Sequence, residues 1–139
     1  TFVFGKTAFT GDTLFAAGCG RLFEGTPEQM HDSLNIQIGG LPDDTELYFG
    51  HEYTTANLCF ALSVETGNTE INKKLAAVSA LRSSGKFSTP TTLAEERRTN
   101  PFMRCSSAEI CATVTSREPG HNLIEKEVFR TLRELKNNF

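Results

Sequence analysis

Two polar residues close apolar stretches in the same way. Asp12 follows Phe9-Thr10-Gly11, and His51 follows Leu47-Tyr48-Phe49-Gly50. In open α/β sheets, ligands gather at strand ends. A carboxylate can bridge two cations with its two oxygens, and a neutral imidazole ligates zinc, iron or manganese. Metal binding is the chemistry these positions offer. Each also has a plainer reading: Asp12 as an Asx-turn residue, His51 as a capping or surface group. Spacing alone leaves both readings open.

The elements that must position this pair come first in the chain. Thr1–Phe4 and Thr7–Thr10 are rich in Phe, Val and Thr, and Gly5-Lys6 between them predicts a hairpin. After the apolar run Leu14–Ala17, the glycines at 18, 20 and 25 mark a loop that bends sharply or approaches something closely. Thr26-Pro27-Glu28-Gln29 reads as a helix start, with Thr26 as N-cap and Gln29 as its capping-box partner. Met30, Leu34 and Ile38 continue that helix, and Gly39-Gly40 stops it. Glu46–Phe49 is a further strand.

From Thr54 onward the pattern is helical. One helix carries Leu58 and Leu62; a second, capped at Asn68 or Thr69, buries Ile71, Leu75, Val78 and Leu81. Ser83–Thr92 reads as a loop, Thr92–Glu95 as a capping box, and Asn100-Pro101-Phe102 as a turn. Pro119–Lys136 reads as a final amphipathic helix with Leu123, Val128, Leu132 and Leu135 inward. The class is therefore α/β, more narrowly α+β: residues 1–53 strand-rich, residues 54–139 helical. So few strands make a poor sheet alone. With no initiator Met, the expectation is a C-terminal piece whose companion strands lie upstream.

The bulk numbers bound the partners. With 38% apolar and 22% charged residues, the chain reads as globular. A net charge of −3 with scattered Lys and Arg gives no nucleic-acid footprint. No apolar run reaches the ~20 residues of a membrane helix. Cys19, Cys59, Cys105 and Cys111 show no Cys-x-x-Cys pairing, which argues against a zinc knot and fits a reducing compartment. The cytoplasm is the expected location, with the mitochondrion as the other.

Several strings together resemble one family. Thr10-Gly11-Asp12-Thr13-Leu14-Phe15, Gly18-Cys19-Gly20-Arg21, Glu24-Gly25 and Gly50-His51-Glu52-Tyr53-Thr54 resemble glyoxalase II, the hydroxyacylglutathione hydrolases of the metallo-β-lactamase fold. Thr92-Leu93-Ala94-Glu95-Glu96 and Asn100-Pro101-Phe102-Met103-Arg104 agree, the latter being particular to the glutathione thioesterase branch. The match runs from about Phe9 to Lys136.

This resemblance implies the C-terminal half of an αββα sandwich followed by a helical substrate-binding domain. It implies two divalent metal ions in the complete enzyme, zinc first, with iron and manganese as the other candidates. Asp12 matches the bridging carboxylate and His51 a terminal ligand. The family's remaining ligands, a His-x-His-x-Asp-His motif and one further His, have no counterpart here, so the metal site is expected to be incomplete. His31 is expected to face solvent and His121 to lie in the first turn of the last helix. The implied substrate is a glutathione thioester such as S-D-lactoylglutathione, cleaved to glutathione and a 2-hydroxy acid.

Arg21, Phe23, Tyr53 and Asn57 match substrate-binding positions. Arg21 stands where the family usually has Lys, and Phe23 where it often has Tyr. Arg133 and Lys136 match a basic pair facing the glycine carboxylate of glutathione, and their spacing puts both on one helix face. Without the resemblance they read as a solvated face. Two alternatives are a non-catalytic glutathione- or partner-binding paralogue and a mono-iron persulfide dioxygenase. The long helical segment after His51 favours the thioesterase. The partner expected besides substrate is the upstream half or a second copy of the chain.

Overall fold

The computed structural model describes residues 1–21 and 25–139. Its strands are β1 (Phe2–Phe4), β2 (Thr7–Gly11), β3 (Leu14–Phe15), β4 (Gly18–Cys19), β5 (Glu46–Phe49) and β6 (Thr91–Thr92). β1 and β2 form the expected hairpin, with Phe2 opposite Phe9 and Phe4 opposite Thr7. β5 runs parallel to β2 and antiparallel to β6, giving a mixed sheet in the order β1-β2-β5-β6. β3 and β4 make a separate small hairpin. The strand at Thr91–Thr92 lies inside the stretch expected to be loop. It is too short to carry a period of its own and is defined by its pairing to Glu46 and Leu47.

Helix α1 (Pro27–Asp32) begins with the expected capping box, in which Thr26 accepts from the Gln29 N–H and the Gln29 side chain accepts from the Thr26 N–H. It continues as a π-helical stretch, Ser33–Ile38, that buries Leu34 and Ile38 and ends at the two glycines. α2 (Thr54–Val64) follows β5 directly. α3 (Thr69–Ser83) is capped by Asn68, which accepts from the Glu70 N–H. Ile71 and Val78 are buried in α3, while Leu81, in its last turn, is 37% exposed.

α4 (Leu93–Thr99) has the expected Thr92/Glu95 capping box. A 3₁₀ turn at Pro101–Met103 leads to α5 (Ala108–Arg117) and α6 (Glu125–Asn137). The sequence pattern gave no sign of α5. Its Ile, Val, Thr and Cys residues are weak helix formers, and burial of Ile110 and Val114 holds it in place. α6 starts later than Pro119 because Gly120 adopts φ +79 and breaks any helix there; Leu123 is left exposed.

One core spans both halves of the sequence. It joins Ala8 and Leu47 of the sheet to Phe60, Val128, Phe129 and Leu132 of the helices. Phe102 sits among these rings, 5.3 Å from Phe129 and 6.2 Å from Phe60. The strands are thus packed directly against the helical segment.

Two histidines differ from expectation. His31 is buried against the ring of Phe129 rather than exposed, because α1 packs its His31 face on α6. His121 lies before α6, not in its first turn. Its ring is enclosed, with Nε2 2.6 Å from the Thr131 hydroxyl.

Candidate functional site

The sheet itself delivers Asp12 and His51 to one point. β2 and β5 are adjacent and parallel, so their C-terminal tips lie side by side. A bulge at Thr10, between the pairs Phe9–Tyr48 and Gly11–Phe49, turns the β2 tip. Bulges re-aim side chains in this way. The Thr10 hydroxyl lies 2.8 Å from the Leu14 carbonyl, and the Thr13 N–H donates back to the Thr10 carbonyl. Gly11 takes φ +53 in that turn, a conformation costly for residues with a Cβ. The Gly50 N–H donates to the Gly11 carbonyl at 2.9 Å, tying the tips together. A Cβ at Gly50 would stand 2.9 Å from Asp12 Oδ1 and 3.2 Å from the Gly11 carbonyl oxygen, so a larger residue here would push the Asp12 side chain aside.

As a result, His51 Nε2 stands 3.3 Å from Asp12 Oδ1. Nitrogen and oxygen ligands about 2.1 Å from a tetrahedral zinc stand about 3.4 Å from one another. The pair therefore fits two positions on one cation. Among the described residues, no group of three or more His, Cys, Asp or Glu side chains converges in the same manner. The His51 ring stacks on Tyr53 at 5.1 Å, and Phe15 packs edge-on against both, 6.0 Å from His51 and 5.3 Å from Tyr53.

This corner opens into a cavity of about 580 Å³. Asp12, His51 and Tyr53 line one part of it; Arg21, Asn57, Arg133 and Lys136 line the rest. Seven of the eight residues singled out from the sequence thus share one cavity. The eighth, Phe23, lies outside the described residues. His31 and His121 do not line the cavity.

The cationic side is less uniform than its sequence spacing implies. Arg133 is only 5% exposed. Its Nη1 donates to the Cys19 carbonyl at 2.8 Å and the Gly20 carbonyl at 3.3 Å, and its guanidinium lies over the Phe102 ring at 5.4 Å. Arg133 therefore braces the β4 segment as well as bordering the cavity. Lys136 is half-buried. Burial, then the neighbouring Arg133 and Arg21 charges, hold its ammonium below the ordinary lysine pKa. Cys19 also lines the cavity, and burial pushes its thiol up to about 11 against the opposing pull of Arg133. It is protonated at neutral pH and a poor nucleophile. Clustered cations raising one another's energy are matched to an anionic ligand.

A family model described as hydroxyacylglutathione hydrolase C-terminus matches residues 52–139. The chain belongs to that family. Three relatives, each named hydroxyacylglutathione hydrolase, are similar over nearly all of it. The Pseudomonas savastanoi pv. phaseolicola protein is 51% identical over 131 residues, covering 94% of this chain and 50% of the relative. The Pseudomonas fluorescens protein is 47% identical over 139 residues, 100% of this chain and 54% of the relative. The Rhizobium meliloti protein is 45% identical over 134 residues, 96% of this chain and 50% of the relative. The chain spans about half the length of the curated relatives it matches.

In this hydroxyacylglutathione hydrolase family member, Phe15 and Cys19 also border the cavity, and sequence reasoning gave them no role. Their positions follow from the β3–β4 hairpin, whose two-residue strands are too short to show a period. Glu96 is a further residue whose role emerges only in the folded chain. A signal was available: Leu93, Glu96 and Asn100 share one helix face, and Leu93 is buried. A charge on an apolar face is a buried charge, and buried charges are paired.

Proposed function

We propose that this chain is the substrate-binding portion of a metal-dependent thioesterase that hydrolyses S-(2-hydroxyacyl)glutathione, such as S-D-lactoylglutathione, to glutathione and a 2-hydroxy acid. The observation that carries this reading is the shared cavity. An Asp–His pair at a spacing suited to one cation, Asp12 and His51, and a basic group, Arg21, Arg133 and Lys136, line the same 580 Å³ space. Glutathione is anionic at its ends and carries the thioester between them, so both features are needed at once.

Asp12 and His51 would hold a divalent ion, zinc first, with iron or manganese as the other candidates. Such an ion supplies Lewis acidity and lowers the pKa of water. Lys136 and Arg21 neutralise a ligand carboxylate. Tyr53 and Phe15 present aromatic surface that orients the peptide and excludes water, and Asn57 closes the base of the cavity. Holding the acyl group at a fixed distance from Asp12 and His51 is an orientation effect. The upstream half of the parent protein is the source proposed for the missing ligands. Alone, this chain is expected to bind metal weakly and turn over slowly, since even a mononuclear catalytic zinc usually takes three protein ligands.

Calorimetric titration with S-methylglutathione, in parallel with release of D-lactate from S-D-lactoylglutathione, tests this. Saturable binding that Lys136→Met weakens supports the proposal. No saturable binding at millimolar ligand would sink it. Fast hydrolysis by the chain alone would contradict the need for upstream ligands.

A further inference from the structure

The β3–β4 hairpin, which supplies Phe15 to the cavity, is held by a buried polar network from the helical segment. Its turn places Ala17 at φ +58, a left-handed conformation that a residue with a Cβ avoids. Two short strands cannot enforce that. The surrounding side chains do. The Ala17 N–H donates to Glu96 Oε2 at 2.8 Å. Asn100 Nδ2 donates to the same oxygen at 2.9 Å and to the Gly18 carbonyl at 3.0 Å. Asn57 Nδ2 donates to the Ala16 carbonyl at 3.2 Å.

Glu96 is 0% exposed and has no unused oxygen. Its Oε1 accepts from Lys74 Nζ at 2.7 Å and from the Thr91 hydroxyl at 2.9 Å. Each oxygen faces two donors, so only a carboxylate satisfies the site. A buried charge compensated this fully fixes a single geometry.

We propose that Glu96, charge-balanced by Lys74, is the positioning residue that locks the Ala17 turn and so sets Phe15 against His51 and Tyr53 in the thioester cavity. Glu96 does not line the cavity; it acts through the hairpin. The inference rests on the proposed thioesterase reading for its purpose, but the positioning itself can be read without any ligand.

The decisive variant is Glu96→Gln. The glutamine oxygen turns to the Lys74 ammonium, and its NH₂ then meets the Ala17 N–H, donor against donor. NMR of the full chain should show the His51 and Tyr53 ring signals displaced while the Val128 and Leu132 methyl signals stay in place. The Lys74→Met/Glu96→Gln double variant should restore them, because the amide can then reverse, accept from Ala17 and donate to Thr91. In the wild-type chain, the Ala17 amide should exchange only through global unfolding. S-methylglutathione affinity should fall about tenfold in Glu96→Gln and recover in the double variant, a scale typical of misplaced binding groups.

An unmoved pair of ring signals in folded Glu96→Gln would overturn the proposal. So would a wild-type Ala17 amide exchanging as fast as exposed loop amides, a measurement that stands even if both variants fail to fold. A wild-type chain that binds no S-methylglutathione ends the thioesterase reading instead, and the ring signals still decide the role of Glu96.

Discussion

Two carboxylates, each paired with a nitrogen-bearing side chain, border the β3–β4 hairpin, and they are opposites. Glu96 and Lys74 meet at 2.7 Å with side chains 0% and 11% exposed. Asp12 and His51 meet at 3.3 Å with side chains 74% and 50% exposed. Every oxygen lone pair of Glu96 is engaged by protein donors, so it has nothing to offer a ligand. Asp12 keeps most of its carboxylate open to the cavity. The difference separates two situations that residue type alone confuses: a saturated buried charge can only fix geometry, and an unsaturated exposed one is left open to a guest. The basic wall of the cavity repeats the contrast, with Arg133 committed to backbone carbonyls and Lys136 reaching the cavity.

The sharpest way to break this comparison is to remove the nitrogen-bearing partner from each pair. Lys74→Met leaves the Glu96 carboxylate buried without a counter-charge and should destabilise the fold by about 3–5 kcal/mol. His51→Ala removes a half-exposed ring and should change stability by no more than about 0.5 kcal/mol. Urea unfolding of the two variants measures both. Equal losses would show that burial does not distinguish the pairs.

The same logic divides the basic residues of α6. Arg133→Met should cost about 2 kcal/mol, from the lost charge-assisted bond to the Cys19 carbonyl and the contact with Phe102. Lys136→Met should leave stability nearly unchanged. It should instead weaken S-methylglutathione binding about tenfold, the loss of one bond to a charged group. The pH profile sharpens this. In the proposed function the protonated ammonium is the binding form, and its pKa is held below the ordinary lysine value of about 10.4. Affinity should fall as pH rises through that lowered value, earlier than a free lysine would dictate. Stability runs the other way: the folded state disfavours the charged form, so its contribution improves as pH rises from the lowered value toward the ordinary one. A profile unchanged in Lys136→Met would assign the titration elsewhere.

Much of this architecture is legible in the residues. The Gly5-Lys6 hairpin, the strand at Glu46–Phe49 and the capping boxes at Thr26 and Thr92 rest on local signals, and local chemistry decided them. The meeting of Asp12 and His51 was only half legible. Each stands after a strand, but their adjacency depends on β2 and β5 being parallel neighbours, which no spacing reveals. α5 was invisible because tertiary burial of Ile110 and Val114 outweighs poor propensity. His31 and Glu96 were misread or passed over for one reason: a polar residue on a buried face looks, in one dimension, like a polar residue on an exposed one.

The smallest expected effect tests how far the Glu96 network depends on the helix that carries it. Thr92 caps α4 by accepting from the Glu95 N–H, and Glu95 in turn accepts from the Thr92 N–H. Thr92→Ala should cost about 1 kcal/mol, as loss of an N-cap usually does. Glu96 sits in the first turn beyond the cap, so fraying there should reach Ala17 before the rest of the fold. Hydrogen exchange should show the Ala17 amide losing protection while amides in α6 keep theirs. Equal loss in both would mean that α4 opens only with the whole molecule, and the network would then be as stable as the core it borders.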